Sequence, residues 1–355
     1  MHVVLSTCLE DPELYESDAL FASALEHRGH TVSAIPWNRE AAPAGSADDD
    51  TYAGVDAVVL RANWDYHEEP GAFLAWLDAL DERGVRVLND TALVRWNFDK
   101  RYLLELQETL STDVEAAGEA EAEGGTAATA TLRIPEVHVV NQHDPDSIVA
   151  LMARLGWEEA VLKSLSGQSG YHCERIRRDA PEAWEAAARA IPTKVALLQA
   201  FQPSISALSE TVFVFFLGEF SHATRRVVAD GERENDCFDF PHVCPEPVLA
   251  NHLLHPQNHR FLQTRKRHQK RAVFAGEWRA NSRFGAVKEA VVSPSPLLVE
   301  QARRVLQAAP AETPPLYARV DGIVDGQCET KRSPFFSIDF LVKTAVATKT
   351  GSGRT

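Results

Sequence analysis

The chain has 355 residues, of which 45% are hydrophobic and 25% charged, and its formal net charge is −15. This length predicts two or three subdomains rather than one small core. The acidic excess argues against a general nucleic-acid binder, because phosphate backbones repel a surface of this sign. No stretch approaches the ~18 uninterrupted apolar residues that a membrane-spanning helix needs. Neither nucleic acid nor a membrane is therefore an expected partner.

The five cysteines are scattered along the chain, and no two of them form a C-x-x-C pair. A disulfide scaffold and a structural zinc site are therefore not expected. The first residues, Met1 to Ser6, lack the basic start and the long apolar stretch of a signal peptide. We expect a reducing, cytoplasmic location.

The first 95 residues alternate between strand and helix patterns. Strands are predicted at 2–5, 31–35, 55–60 and 85–88, and helices at 18–27 and 73–83. The strand at 55–60 is almost wholly apolar, which is typical of the middle of a parallel sheet. This order predicts an open α/β domain.

The rest of the chain mixes strands and helices around two insertions. The first insertion, 111–131, is rich in Ala, Glu, Gly and Thr and has no apolar face, so we expect a disordered loop. The second, 228–271, is irregular, and a polar tail at 343–355 is also expected to be disordered. Strands are predicted at 134–140, 161–165, 197–201, 212–216, 317–320 and 335–342, and helices at 145–155, 181–191 and 294–308.

A lysine and a small-residue loop follow the apolar residues 160–162. Lys163 leads into 166–170, which contains Gly167 and Gly170. Glycines let backbone N–H groups turn toward phosphate oxygens, and a nearby lysine supplies positive charge. An ordinary strand turn with a surface lysine is the alternative. No Gly-Lys-Ser/Thr opens a helix here, so a P-loop is disfavoured.

A second lysine, Lys100, is predicted to lie in the first turn of a helix that begins near Asn97 or Asp99, both good N-cap residues. It is either a plain helix-start lysine or another cation that reaches the same phosphates.

Two further segments fit a nucleoside site. The strand that contains Gln199 and Phe201 breaks at Pro203, and Glu210 precedes the next apolar strand. Such a strand edge can offer backbone groups to an adenine ring, and the carboxylate can accept hydrogen bonds from ribose hydroxyls. A buried strand followed by a solvated carboxylate is the alternative.

Three residues, Trp64, Asp65 and Tyr66, follow a buried strand of the first domain. Open α/β sheets place ligands at the carboxyl ends of their strands. These residues are predicted to contact substrate, with aromatic packing under a loop as the alternative.

The order of these segments resembles the ATP-grasp superfamily. The segments that carry the likeness are Asn97-Phe98-Asp99-Lys100, the Lys163 loop, Gln199-Ala200-Phe201, Gly218-Glu219-Phe220-Ser221-His222, Gly276-Glu277-Trp278-Arg279 and Arg319-Val320-Asp321-Gly322. Together with residues 61–67, these segments are most similar to the glutathione-synthetase-like branch, which includes D-cycloserine and D-alanine–D-alanine ligases. Each motif is short, so the resemblance depends on their collinear order from about Val3 to Leu341.

The resemblance implies an α/β and α+β fold. A pre-ATP-grasp domain, 1–95, would precede a small lobe, 96–200, and a large lobe, 201–342, that together enclose ATP. It also implies the reaction: a carboxylate attacks the γ-phosphate of ATP, and an amine displaces phosphate from the acyl phosphate. This chemistry depends on positioning and charge neutralisation. The implied cofactors are ATP and Mg²⁺, and the partners are a small-molecule carboxylate and amine, with a homodimer as a further expectation.

Roles for individual residues follow from the matching motifs. The resemblance implies that the ATP phosphates are held by Lys100, Lys163, Gly167 and Gly170. It implies an adenosine site lined by Gln199, Phe201 and Glu210. The implied catalytic residues are Arg279 and Arg319, and the implied magnesium ligands are Asp321 and Asp339.

The C-terminal metal motif departs from the family pattern. Relatives carry two acidic or Asn ligands one residue apart, whereas this strand has Ser337 at the first position and Asp339 at the second. Mg²⁺ prefers hard anionic oxygens, so the loss of one carboxylate would weaken metal and ATP binding. An ATP-grasp fold that binds nucleotide but is catalytically impaired is therefore an alternative.

The basic run 265–271, Arg-Lys-Arg-His-Gln-Lys-Arg, allows a different class of function. It could contact nucleic acid in a binding protein, although a solvated surface insertion is favoured in so acidic a chain. A nicotinamide-dependent dehydrogenase is disfavoured, because no Gly-x-Gly-x-x-Gly turn follows the first strand.

Overall fold

The computed structural model describes residues 1–39, 51–110, 132–167, 172–191, 193–205, 210–227, 287–291, 293–324 and 335–341. In 335–341, and at 227, 287–290 and 324, it describes the backbone alone. The predictions for 111–131, 228–271, 343–355, Gly170 and Arg279 therefore lie outside the described residues.

The N-terminal domain is a parallel sheet with helices on both faces. Its strands are β1 (His2–Thr7), β2 (Thr31–Pro36), β3 (Ala57–Leu60) and β4 (Arg86–Leu88), in the order β2-β1-β3-β4. Its helices are α1 (Glu16–Glu26), α2 (Pro70–Glu82) and α3 (Thr91–Phe98). Because side chains alternate along a strand, Val4 and Val58 pack with α2 residues while Val3 and Val59 pack with Ala22 of α1. The predicted open α/β domain is confirmed.

A turn and a second helix follow α3. Asp99, with extended backbone angles (φ −100°, ψ 119°), ends α3, and α4 spans 102–110. Lys100 lies in the turn between the helices, so the prediction that it occupies the first turn of a helix starting near Asn97 or Asp99 is wrong. The backbone at Asp99 is the reason, since it leaves the helical conformation there. A short strand, β5 (Leu132–Arg133), comes next in the described chain.

A four-stranded antiparallel sheet forms the smaller of the two remaining layers. It contains β6 (Val137–Asn141), β7 (Glu159–Ser164), β8 (Cys173–Arg177) and β9 (Val195–Ala200), in the order β6-β9-β7-β8. Helices α5 (Pro145–Leu155) and α6 (Pro181–Arg189) cover one face, where Leu162 and Leu198 pack with Ile148 and Trp184. Alternation turns Val161, Lys163 and Gln199 to the other face.

A six-stranded sheet forms the larger layer. It adds β10 (Glu210–Phe216), β11 (Glu219–Val227), β12 (Val287–Val291), β13 (Tyr317–Val324) and β14 (Phe335–Leu341), in the order β12-β11-β10-β13-β14-β5. All its pairs are antiparallel except β14–β5. One face buries Phe213, Phe215 and Val320 against α7 (Pro296–Gln307) and α4. Although α4 and β5 fall within the predicted small lobe, 96–200, they pack with this sheet. The predicted lobe boundaries stay predictions.

Contacts join the three sheets, and the region between the Val161–Gln199 face and the Arg319–Ile323 face is the candidate cleft. Val161 and Phe201 from the four-stranded sheet and its following loop pack with Ile323 of β13. The side chain of Asn89, just after β4, donates to the backbone oxygen of Tyr317 at 2.8 Å. This contact joins the N-terminal domain to the start of β13. Within the described residues, no helix combines the length and apolarity needed to cross a bilayer.

Candidate active site

Lys163 and Gln199 form a polar pair on the cleft face of the four-stranded sheet. Lys163 Nζ donates a hydrogen bond to Gln199 Oε1 at 2.6 Å. Gln199 is only 2% exposed, and its Nε2 has no hydrogen-bond partner among the described residues. An unsatisfied buried donor costs about 1–3 kcal/mol. A ligand acceptor such as a purine ring nitrogen would therefore be stabilised here, which makes the pair a chemical fit for a nucleobase.

Lys100 is tied to the loop that follows β7. Its backbone N donates to Leu165 O at 2.8 Å, and its Nζ donates to Gly167 O at 2.6 Å. Lys100 therefore contacts this loop directly, whereas Lys163 lies on the strand that leads into the loop and its Nζ contacts Gln199. Gly167 lies in this loop, whereas Gly170 lies outside the described residues.

An apolar cluster lies beside the Lys163–Gln199 pair. Phe201 packs with Val161, Ile205 and Ile323, and the Arg175 guanidinium lies 4.0 Å from the centre of the Phe201 ring. Val161 is directly opposite Gln199 in the strand register. Apolar and aromatic side chains beside a few polar groups are typical of small-molecule binding sites.

Four charged side chains cluster on the cleft face of the six-stranded sheet. Glu210 of β10, Arg226 of β11, and Arg319 and Asp321 of β13 are all at most 12% exposed at the side chain. Arg226 Nη1 donates to Glu210 Oε2 at 2.9 Å and to Asp321 Oδ2 at 3.4 Å. Arg319 donates to both carboxylate oxygens of Asp321, with 3.2 Å from Nε to Oδ1. Two acids and two bases thus neutralise each other within a buried cluster.

Arg319 stays positively charged in this setting. Burial by itself lowers the pKa of a guanidinium, but the adjacent Asp321 carboxylate raises the pKa of Arg319 above its ordinary value. Burial raises the pKa of Tyr317, which therefore stays a neutral phenol near neutral pH. The site can supply a permanent cation to a developing negative charge.

The strand register brings the predicted magnesium positions together. Asp321 on β13 is opposite Asp339 on β14, and Gly322 is opposite Ser337 beyond a bulge. Carboxylate oxygens at adjacent positions have the donor chemistry that Mg²⁺ prefers. Among the described side chains, no group of three or more His, Cys, Asp or Glu forms a metal site.

The predicted substrate residues follow the carboxyl end of β3, and their side chains make contacts within the N-terminal domain. Asp65 accepts hydrogen bonds from Trp37 Nε1 at 2.6 Å and from Asn38 Nδ2 at 2.5 Å. Tyr66 is buried in the domain core, while Trp64 is partly buried against it and against Tyr15. These contacts favour the packing interpretation for Asp65 and Tyr66, and a substrate role for the three residues stays a prediction.

Sequence reasoning missed three polar side chains at the same edge. Arg61 forms a buried ion pair with Asp18, and Asn63 Nδ2 donates to Ser6 Oγ at 2.9 Å. Asp18 Oδ2 and Asn63 Oδ1 are buried acceptors with no partner in the described part of the chain. The available signal was a pair of polar residues directly after the apolar strand β3.

Replacing Asp18 with alanine should lower the free energy of unfolding by about 3–5 kcal/mol, because it leaves the Arg61 guanidinium buried without its partner. Urea unfolding followed by circular dichroism measures this change. Asp78→Ala is the control: Asp78 is 64% exposed and pairs with Arg95 at the surface, so its loss should cost less than about 1 kcal/mol. Equal effects of the two substitutions would contradict the assignment.

Comparison with known proteins agrees with this architecture. Residues 3–89 match the family model described as the N-terminal domain of D-cycloserine synthetase DcsG. Over 195 residues the chain is 28% identical to the cycloserine biosynthesis protein DcsG of Streptomyces lavendulae. That alignment covers 52% of this chain and 57% of the relative, so the match spans little more than half of the curated protein.

Solved structures match over almost the whole chain. The crystal structure of D-cycloserine synthetase DcsG superposes with a TM-score of 0.62 at 20% identity, covering 96% of this chain and 91% of that one. A RimK-domain ATP-grasp protein from Sphaerobacter thermophilus gives 0.54 at 16% identity, covering 97% and 92%. The fold predicted from the collinear motifs is confirmed. The chain has the ATP-grasp fold, and its N-terminal domain is similar to that of DcsG.

Proposed function

We propose that the chain is an ATP-dependent ligase that joins a carboxylate to an amine through an acyl phosphate. The observation that carries this proposal is Gln199 Nε2, which has no partner among the described residues and lies beside Lys163, on a sheet face that packs with Ile323 of β13, the strand that also carries Asp321. A nucleotide in this cleft would meet a nucleobase donor, phosphate-binding cations and ribose- and metal-binding carboxylates.

Each residue has a part that its chemistry supports. Gln199 and Phe201 hold the adenine, and Glu210 accepts hydrogen bonds from the ribose. Lys100 and Lys163 neutralise the phosphates, and Arg319 stabilises charge that develops during phosphoryl and acyl transfer. Asp321 and Asp339 would hold Mg²⁺, which when bound neutralises phosphate charge. Arg279 and Gly170 are assigned by motif alone.

The acceptor substrate would lie between the N-terminal sheet and the start of β13. Asp18 and Asn63 offer buried oxygens that have no donor in the described part of the chain, and these suit an ammonium or amide group. The relative's name, cycloserine biosynthesis protein, makes amino acids and their derivatives the first compounds to test.

We also place the protein in the cytoplasm. Cys8 is a free thiol, which suits a reducing compartment. A homodimer and the lack of nucleic-acid binding stay predictions, because the basic run 265–271 lies outside the described residues. No observation on the described residues favours the alternative of lost turnover, so we do not propose it.

Incubation with Mg-ATP, hydroxylamine and a panel of amino acids should produce ADP and a hydroxamate with at least one acid. Hydroxylamine traps an acyl phosphate whichever amine is the natural acceptor, so the assay does not depend on the identity of that amine. The hydroxamate is read by its ferric complex and ADP by a coupled assay. A panel that yields no hydroxamate, together with no nucleotide-induced thermal shift, would contradict the ligase proposal.

A further inference from the structure

A single guanidinium nitrogen joins the candidate ribose site to the candidate metal site. Arg226 Nη1 donates to Glu210 Oε2 at 2.9 Å and to Asp321 Oδ2 at 3.4 Å. The register places Arg226 directly opposite Glu210 across β10 and β11, and Asp321 lies on the other neighbour of β10. One side chain therefore pairs with two carboxylates, and these carboxylates contact different ligands in the proposed function.

We propose that Arg226 is an internal counter-ion that couples metal binding to nucleotide binding. This inference rests on the proposed ATP site. With neither ligand present, the guanidinium neutralises Glu210 and Asp321, and each ligand must displace it to reach its own carboxylate. Displacement by one ligand frees the carboxylate for the other, so the two bind cooperatively.

Charge repulsion makes this displacement necessary. A magnesium or manganese ion binds a carboxylate oxygen at about 2 Å. Because Arg226 Nη1 lies 3.4 Å from Asp321 Oδ2, a dication on that oxygen and the guanidinium would be close neighbours in a buried setting. Like charges at this range repel strongly where water is scarce.

Arg226, rather than Arg319, is the arginine that moves away from Asp321 when a ligand binds. Arg319 lies two residues from Asp321 on the same strand and donates to both of its oxygens. Arg226 reaches Asp321 from a different strand through one contact of 3.4 Å, and its side chain is 12% exposed against 6% for Arg319. Its longer contact and greater exposure make its departure from Asp321 the easier of the two.

Adenosine and Mn²⁺ provide a test that does not use turnover. Adenosine has the base and ribose but no triphosphate, so it does not carry the metal into the site. In the wild-type protein, saturating Mn²⁺ should tighten adenosine binding roughly tenfold, measured by isothermal titration calorimetry. Without metal, Arg226→Gln should bind adenosine roughly tenfold more tightly than the wild type does. Adding Mn²⁺ should increase the affinity of this variant for adenosine only slightly.

The neighbouring Arg225→Gln is the matched control. It removes the same charge from the same strand at an exposed position, and it should keep the wild-type coupling. Arg226→Lys is a second variant for the case that Arg226→Gln does not fold. The lysine side chain is shorter and places its charge at a different position, so its ammonium should reach the two carboxylates less well and the coupling should be partly lost.

Three results would overturn the inference. These are coupling that persists in the folded Arg226 variants, an Arg226→Gln variant that binds adenosine more weakly than the wild type, and no coupling in a wild-type protein that binds Mg-ATP. A wild-type protein that does not bind Mg-ATP would instead overturn the proposed function itself.

Discussion

Lys163→Met is expected to lower kcat/KM for ATP by roughly 100- to 1,000-fold in the hydroxamate assay, the size of effect seen when one preorganised charge stabiliser is removed. Two losses combine. The phosphates lose a cation beside their loop, and Gln199 Oε1 loses the donor that Lys163 Nζ provides at 2.6 Å. Without that donor, the Gln199 amide is no longer held in the orientation that leaves Nε2 free for the base.

The control for this substitution is Lys194→Met, which removes the same side chain at an exposed position beside β9. Its kcat/KM should stay within about twofold of the wild type, because a surface charge away from the cleft contributes little. Binding of adenosine by calorimetry separates the two losses, since adenosine depends on Gln199 but carries no phosphate. A Lys163→Met enzyme with wild-type ATP kinetics would refute the phosphate-site assignment.

Asp321→Asn is expected to lower magnesium-dependent ADP formation by a similar factor, roughly 100- to 1,000-fold. The amide keeps the shape of the side chain but removes the anionic charge that a hard dication prefers. The same change leaves Arg319 and Arg226 without their shared carboxylate in a buried setting. We therefore also expect a loss of about 3 kcal/mol or more of folding stability.

The two consequences of Asp321→Asn can be separated by temperature and by metal titration. Assays run well below the melting temperature measure chemistry on folded protein, and raising Mg²⁺ should recover part of the activity if a metal ligand was lost. Asp179→Asn, which breaks an exposed ion pair with Arg177, is the matched control and should change neither property appreciably. Full activity of Asp321→Asn at low Mg²⁺ would exclude Asp321 as a ligand.

Local sequence signals predicted most of the elements because those signals act over a few residues. The apolar strands β1, β3, β9 and β10 and the helices α1 and α2 are all observed near their predicted positions. Strand β8 was missed, since only Ile176 of its five residues is buried and its polar neighbours hide the pattern. Strands β11 and β12 were missed as well, because β11 interleaves charged and polar residues with few apolar ones.

Some site residues could likewise be predicted from the sequence, and others could not. Lys163, Gln199 and Glu210 could be selected because each is a polar residue in or beside an apolar strand segment, and Asp321 could be selected through the resemblance of its motif to the ATP-grasp family. Arg226 could not be selected, since nothing in its local sequence distinguishes it from the exposed Arg225. Its importance arises only from the pairing of β11 with β10 and of β10 with β13.

The sequence alone determined which chemical groups are available, because the identity of a side chain fixes its charge and hydrogen-bonding capacity wherever it lies. It thus determined that lysines, an amide and carboxylates occur on successive strands. Only the tertiary structure decided which of them share a cleft and which neutralise each other. Strand alternation and register place Glu210, Arg226 and Asp321 on one buried face, and burial removes the water that would otherwise screen their charges.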